Sequence, residues 1–172
     1  VGLVLFGGYG AAVMKRIAAR LPDTPLLLLC GRNEKLADEL RAQPAQAPRV
    51  VVGPTQDVAG WMHLADFFIG KPGPGSLSEA VQCGLPVIVT RNAWTMPQER
   101  WNTEWVQRNG YGVVKRSFRD VAGAVHEVTH RLPEFRARLA RVSNSAAAEI
   151  PPLLGRIFQS HAVAAPALAS SA

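Results

Sequence analysis

The chain has 172 residues, the size of one domain, and its 48% hydrophobic and 19% charged residues exclude a disordered chain. Basic residues exceed acidic ones by six, and no apolar run reaches the roughly 18–20 residues that span a bilayer. Two cysteines, Cys30 and Cys83, are too few for a disulfide framework, which favours a reducing cytoplasm. Because the arginines are spread along the chain rather than clustered with aromatics, we expect no nucleic-acid partner.

Short apolar stretches alternate with amphipathic ones along the chain. Strands are predicted at Leu3–Phe6, Leu26–Cys30, Val50–Val52, Phe67–Ile69, Val87–Val89 and Val113–Val114. Helices are predicted at Ala11–Leu21, Glu34–Arg41, Asp57–Leu64, Ser76–Cys83, Gln98–Asn109, Ser117–Arg131, Glu134–Ala148 and Pro152–Gln159. This order predicts an α/β fold: a Rossmann-like parallel sheet of about six strands, with helices on both faces and three helical segments at the C-terminus. We assign residues 1–160 to this domain and residues 161–172 to a disordered tail rich in Ala, Pro and Ser.

Two glycine loops connect predicted strands to predicted helices. Gly7–Gly10 follows the first strand, and Gly73–Ser76 follows the fourth. In a parallel sheet, ligands bind at the carboxyl ends of the strands, where both loops lie. Glycines let a ligand approach the backbone, and the helix behind each loop offers free N–H groups, so both loops suit a phosphate or diphosphate. Glycines that only make tight turns are the alternative for each loop.

A dinucleotide site is a less favoured interpretation of the first loop. Its fingerprint, Gly-x-Gly-x-x-Gly, lacks the third glycine here because Val13 occupies that position. Gly31, Arg32 and Asn33 follow the second strand, so no acidic residue there can bind a ribose. Arg32 suits a 2′-phosphate, which keeps an NADP-binding domain as an alternative.

The segment His126–His130 has the His-Glu-x-x-His pattern of zinc peptidases. On a helical wheel, both histidines lie opposite an apolar stripe formed by Val121, Val125, Val128 and Leu132. Packing of that stripe on the sheet leaves the histidines in solvent, and the Gly-x-x-His extension of related enzymes is missing. We therefore expect no metal site, and a zinc peptidase is a less favoured alternative.

Several segments resemble the donor-binding core of one GT-B glycosyltransferase family. The segments are Leu29–Leu36, Lys71–Ala80, Gly84–Ile88 and Gln98–Asn102. The family contains monogalactosyldiacylglycerol synthase, the processive diacylglycerol glucosyltransferases and the enzyme that adds N-acetylglucosamine to lipid I of peptidoglycan. The resemblance extends from about Leu3 to Phe158 and implies a C-terminal, UDP-sugar-binding domain. It further implies that an N-terminal acceptor domain belongs before Val1.

The resemblance also implies a role for each residue of a donor site. The donor is expected to contact Gly8, Tyr9, Gly10, Gly53, Pro54, Thr55, Lys71, Gly73, Pro74, Gly75, Ser76, Glu79, Gln98, Glu99 and Asn102. The glycine loops match those around the diphosphate, and the backbone near Gly53 matches the place where the uracil edge pairs. Glu79 matches the carboxylate that accepts hydrogen bonds from both ribose hydroxyls. Gln98 and Glu99 match the pair that binds the sugar hydroxyls, with Asn102 as a support on the same helix face.

Each of these assignments has a simpler alternative. The alternative for Glu79 is that it complements the dipole of its own helix, and Gln98 and Glu99 suit the first turn of any helix. Lys71 is equally compatible with full solvation. Pro54 stands where the family often has an aromatic or branched residue, which makes the base contact the weakest match.

The resemblance implies an inverting glycosyltransferase that transfers galactose or glucose from a UDP-sugar to a lipid such as diacylglycerol. No metal or other cofactor is obligatory, and no catalytic residue is assigned, because the family's general base lies in the preceding domain. The expected partners are the UDP-sugar, a lipid acceptor reached through an N-terminal domain or partner chain, and an anionic membrane surface. We expect a cytoplasmic protein, peripheral on the inner face of the plasma membrane; Trp94 and Met96 either face lipid or are packed. The alternative is a free-standing donor subunit of a split enzyme or a non-catalytic UDP-sugar-binding module.

Overall fold

A computed structural model describes residues 1–163 of the chain. The chain divides into two units, Val1–Val142 and a second unit that begins at Ser143. Among the residues described, no helix is both long and apolar enough to cross a membrane.

One six-stranded parallel sheet forms the centre of the first unit. Its strands are β1 (Gly2–Leu5), β2 (Leu26–Leu29), β3 (Arg49–Val52), β4 (Phe67–Gly70), β5 (Val87–Thr90) and β6 (Gly112–Lys115). They lie in the order β3-β2-β1-β4-β5-β6. Every residue of β1, β2 and β4 is buried, whereas the edge strands β3 and β6 are largely half-exposed. Strands covered on both faces need apolar side chains throughout, which is why the sequence pattern predicted them correctly.

The helices pack on both faces of the sheet, as predicted. In the first unit they are α1 (Val13–Arg20), α2 (Glu34–Arg41), α3 (Val58–His63), α4 (Pro74–Gln82), α5 (Pro97–Asn109), α6 (Val121–His130) and α7 (Leu132–Leu139), with a 3₁₀ turn at Phe118–Asp120 before α6; α8 (Ala146–Val163) belongs to the second unit. Met14 of α1, Leu36 of α2 and Val128 of α6 enter one core. Met62 of α3, Leu77 of α4 and Val106 of α5 enter the other. The sheet thus has a buried apolar layer on each side.

The predicted helix Glu134–Ala148 is wrong in its second half. α7 ends at Leu139, and α8 begins at Ala146. Between them, the Asn144 side chain accepts a hydrogen bond from the backbone N–H of Ala146 (3.1 Å), so it competes with the helical bonding pattern. α8 also begins before its predicted start at Pro152 and continues to Val163. The predicted disordered tail therefore overlaps a helix at residues 161–163, and residues 164–172 lie outside the described chain.

The order of the strands reverses between β1 and β4. From β1 the chain proceeds to β2 and β3 on one side, and from β4 it proceeds to β5 and β6 on the other. Leu5 is in register with Gly70, so the loops that follow these two strands begin side by side. Open α/β sheets bind ligands in the crevice at such a switch point. Both predicted glycine loops therefore lie where this fold binds ligands.

Candidate functional site

The loop between β1 and α1 is a glycine turn held in place by the next strand's loop. Gly7 and Gly10 have φ values of 75° and 57°, a region that disfavours other residues. The backbone N–H of Arg32 donates to the carbonyl oxygen of Gly8 (2.8 Å). The Asn33 side-chain amide donates to the carbonyl oxygen of Tyr9 (3.1 Å). The N–H of Gly10 donates to the carbonyl oxygen of Gly7 (3.2 Å), whereas the N–H groups of Gly8 and Tyr9 have no hydrogen-bond partner among the described residues and remain for a ligand.

An open cavity of about 580 Å³ lies beside this loop. Four of the predicted donor residues contribute to its wall: Gly8, Tyr9, Pro54 and Thr55. Gly31, Arg32 and Gln56 line the same wall, which the sequence pattern did not predict. Gly31 has a φ of 57°, and a Cβ atom there would overlap the carbonyl oxygen of Gly8. Its position directly after a buried strand that neighbours β1 is the signal that would have identified it.

The second glycine loop leads from β4 into α4. Gly73 is the N-cap residue of α4, and Pro74 occupies the first helical position, where its missing N–H costs nothing. The N–H groups of the first turn therefore remain for a ligand. Glu79 is exposed and lies in the second turn of α4 rather than the first, which weakens the dipole alternative for this residue.

A cluster of polar contacts joins this second loop to α5. The Lys71 ammonium lies 3.4 Å from a carboxylate oxygen of Glu99, which is only 6% exposed. The Asn102 side-chain amide donates to the carbonyl oxygen of Pro72 (2.7 Å). Gln98 is exposed, and its side-chain amide donates to the Met96 sulfur (3.5 Å). The two residues predicted to bind the sugar therefore differ in setting, because Glu99 is turned toward Lys71 and Gln98 toward solvent.

The N-termini of the helices that follow the strands are of two kinds. Side chains cap α2 and α3, since Asn33 accepts from the N–H of Leu36 (3.0 Å) and Asp57 accepts from the N–H of Gly60 (2.8 Å). Within residues 1–163, no side chain caps α1, α4 or α5. α1 and α4 also have no acidic residue in the first turn. Their N-termini are open, positive ends that suit an anion.

Neither cysteine is an activated nucleophile. Burial raises the pKa of the Cys30 thiol above its usual value. Burial, and then the nearby charge of Glu79, raises the pKa of the Cys83 thiol. Because the thiolate is the reactive form, both shifts act against covalent catalysis by these residues.

The zinc-peptidase alternative receives no support from the geometry. His126 and His130 are exposed, whereas Val121, Val125 and Val128 are buried, as the wheel predicted. The two imidazole rings stack with their centroids 6.1 Å apart. In the described part of the chain, no group of three or more His, Cys, Asp or Glu side chains could hold a metal ion.

Comparison with curated proteins identifies plant relatives. Monogalactosyldiacylglycerol synthase 3 of Arabidopsis thaliana is 34% identical over 134 residues, which cover 72% of this chain and 28% of that protein. Synthase 2 of the same plant is 34% identical over 136 residues, covering 73% and 29%. The Spinacia oleracea synthase is 32% identical over 136 residues, covering 73% and 26%. The chain thus spans less than a third of the length of these relatives. No protein-family model matches it.

Two solved structures share the fold. MurG of Acinetobacter baumannii superposes with a TM-score of 0.70 and 16% identity, covering 90% of this chain and 49% of MurG. A glycosyltransferase of kitacinnamycin superposes with a TM-score of 0.56 and 23% identity, covering 90% of this chain and 42% of that one. The sheet and both helix layers therefore have the Rossmann-like architecture of a GT-B domain. The chain is a homologue of the monogalactosyldiacylglycerol synthases, and it has the fold of a GT-B glycosyltransferase domain.

Proposed function

We propose that the chain is the UDP-hexose-binding domain of an inverting glycosyltransferase that transfers galactose or glucose to a lipid acceptor such as diacylglycerol. The observation that carries this proposal is the pair of glycine loops at the switch point, each followed by an open helix N-terminus. The names of the relatives, all synthases of monogalactosyldiacylglycerol, support the hexose and the lipid.

In this proposal, the diphosphate lies between the loops that follow β1 and β4. The amide groups of Gly8 and Gly75 and the positive ends of α1 and α4 face its charge. The cavity beside Pro54 and Thr55 takes the uracil, and Glu79 accepts hydrogen bonds from the ribose hydroxyls. The loops among these groups follow the carboxyl ends of β1, β3 and β4, and Glu79 lies in the second turn of the helix behind the β4 loop.

The chemical step follows from that placement. An acceptor hydroxyl attacks the anomeric carbon of the hexose, a new C–O bond forms, and the bond to the β-phosphate oxygen breaks. UDP leaves with the bonding electrons, and the hydroxyl proton passes to a base supplied by the preceding domain. Backbone amides and helix dipoles stabilise the charge that develops on the diphosphate, so we propose that no metal is obligatory.

The hexose is proposed to lie against α5. Gln98 is free to bind its hydroxyls, whereas Glu99 first has to share its carboxylate with Lys71. Asn102 keeps α5 against the loop of the diphosphate, which supports the sugar site without touching the sugar.

Calorimetry with UDP tests the proposal through Glu79. Replacing Glu79 by Gln removes the charge while keeping the shape, so UDP should bind roughly 10- to 100-fold more weakly, since a hydrogen bond to a charged group contributes about 1.5–3 kcal/mol. The matched control is Glu34→Gln, which makes the same change at an exposed position in the first turn of α2. The control should bind UDP like the unmodified chain.

A second ligand makes the test specific for the ribose. The unmodified chain should prefer UDP over its 2′,3′-dideoxy analogue, and Glu79→Gln should lose most of that preference. If UDP does not bind at millimolar concentration, or if both proteins bind both ligands equally, the assignment is wrong. Binding of NADP in place of UDP would favour the dinucleotide alternative, in which Arg32 binds the 2′-phosphate.

A further inference from the structure

Three of the four tryptophans are exposed within residues 94–105, which include the start of α5 and the loop before it. Trp94 is 93% exposed, Trp101 67% and Trp105 38%, and Met96 beside them is 46% exposed. The fourth tryptophan, Trp61, is instead packed against an apolar core. We call the surface formed by Trp94, Met96, Trp101, Trp105 and Arg108 the tryptophan face.

The tryptophan face is built into the helix and its preceding loop. Trp101, Trp105 and Arg108 follow one another at helical spacing on the outer side of α5, while Glu99, Thr103 and Val106 are buried on its inner side. The Arg108 guanidinium lies 6.0 Å from the centre of the Trp101 ring. The Trp105 ring meets the Tyr111 ring edge-on at 4.9 Å. These contacts hold two of the aromatic rings at the surface.

Hydrogen bonds fix the conformation of the loop that carries Trp94. The side chain of Asn92 accepts a hydrogen bond from the N–H of Trp94 (2.9 Å), and the Thr95 hydroxyl accepts one from the N–H of Asn92 (2.9 Å). The Arg100 guanidinium donates to the carbonyl oxygen of Thr95 (3.2 Å). Trp94 is therefore the outward-facing residue of a hydrogen-bonded turn.

Basic residues outnumber acidic ones in the segment that carries the tryptophan face. Residues 91–116 contain five basic and two acidic residues. Glu99 is buried beside Lys71, so Glu104 is the acidic residue of this segment at the surface, where it pairs with Arg91 (2.9 Å) and Arg108 (3.4 Å). The surface that remains combines exposed indole rings with an excess of arginine.

We propose that the tryptophan face docks on the interface of an anionic lipid bilayer. Indole rings favour the headgroup region, because one end of the ring is apolar and the other donates a hydrogen bond. Arginine side chains complement the phosphates of anionic lipids. Gln98 lies one turn before Trp101 on the same helix, so docking brings the proposed sugar end of α5 to the lipid surface. The proposal does not depend on UDP binding.

Tryptophan fluorescence with vesicles of phosphatidylglycerol and phosphatidylcholine tests the proposal, because brominated acyl chains quench only rings that enter the bilayer. Variants with three tryptophans changed to Phe report on one ring at a time. The variants that retain Trp94 or Trp101 should be quenched, and the variant that retains Trp61 should not. Equal quenching of all three variants, or quenching of none, would overturn the proposal.

Paired arginine variants test the role of charge. Arg108→Gln should weaken binding to the phosphatidylglycerol vesicles about fivefold, the equivalent of about 1 kcal/mol per arginine near an anionic surface. Arg41→Gln removes the same charge from an exposed position on α2 and should have no such effect. Equal losses of vesicle binding in the two variants would show that the vesicles attract the net charge of the protein and not this face. A vesicle-independent dimer in sedimentation equilibrium that Trp94→Ala abolishes would assign the face to a second copy and contradict the proposal.

Discussion

The helices that follow the two central strands at the switch point begin differently from those that follow β2 and β3. After β2 and β3, Asn33 and Asp57 cap the helices with their side chains. After β1 and β4, the described chain supplies no such cap, and the glycine loops stand in its place. A capped helix gains stability from its own chain, whereas an open one keeps donors for a ligand. The molecule thus separates helix N-termini that stabilise the fold from helix N-termini that remain open to a ligand.

The largest effect is expected at Gly31, where the loops that follow β1 and β2 meet. A Cβ atom at this position overlaps the carbonyl oxygen of Gly8, and the φ of 57° adds strain. We expect Gly31→Ala to lower the free energy of unfolding by about 3 kcal/mol and to abolish UDP binding. Gly53→Ala is the control in urea denaturation, because its Cβ meets no described atom within 4 Å. A Gly31→Ala protein as stable as that control would show that the close approach is unimportant.

The next effect distinguishes two asparagines on α5. Asn102 donates to the carbonyl oxygen of Pro72 in another element, and Asn109 donates to the carbonyl oxygen of Trp105 one turn earlier. Asn102→Ala should lower the free energy of unfolding by about 1–1.5 kcal/mol and weaken UDP-hexose more than UDP. Asn109→Ala should leave both ligands unaffected. Denaturation and calorimetry measure the two effects; equal loss of UDP and UDP-hexose would contradict a role specific to the sugar.

A smaller effect is expected at a capped helix. Asp57→Ala removes the bond to the N–H of Gly60 and should cost about 1 kcal/mol of stability, with no change in UDP affinity. Asp120 occupies the N-cap of α6 without a cap bond among the described residues, so Asp120→Ala should cost less. A fall in UDP affinity in Asp57→Ala would show that a capped helix N-terminus also affects UDP binding, which contradicts the distinction between capped and open helices.

The smallest change in stability, with the opposite sign, is expected from closing an open helix. Gly73→Ser gives α4 a hydroxyl cap and should add a few tenths of a kcal/mol. The same hydroxyl competes for the N–H groups proposed to bind the diphosphate, so UDP should bind more weakly. A gain in both stability and UDP affinity would show that these N–H groups do not contact the donor.

The strands and the placement of both glycine loops at the switch point could be predicted because both depend on local patterns. Runs such as Leu26–Leu29 are apolar throughout, and the glycine loops follow directly after buried strands. The break between α7 and α8 was missed because the apolar helical pattern of the sequence continues through it. The break arises where the Asn144 side chain competes for a backbone N–H group. Gly31 and Gln56 were missed because their place in the cavity wall depends on how neighbouring loops fold together. The inward turn of Glu99 depends on Lys71, which is distant in sequence.

The hydrogen bond from Asn102 to Pro72 couples the two ends of the proposed donor site, the hexose end and the diphosphate end. A hexose that orders α5 also orders the β4–α4 loop, and a diphosphate that orders the loop favours the same position of α5. Thermodynamic linkage requires the two effects to be equal. Binding at one end therefore raises the affinity at the other end by the same factor in both directions. In the proposed transfer reaction, cleavage of the hexose from UDP would remove that mutual support, so release of the product would begin as a loss of cooperativity within a single ligand site.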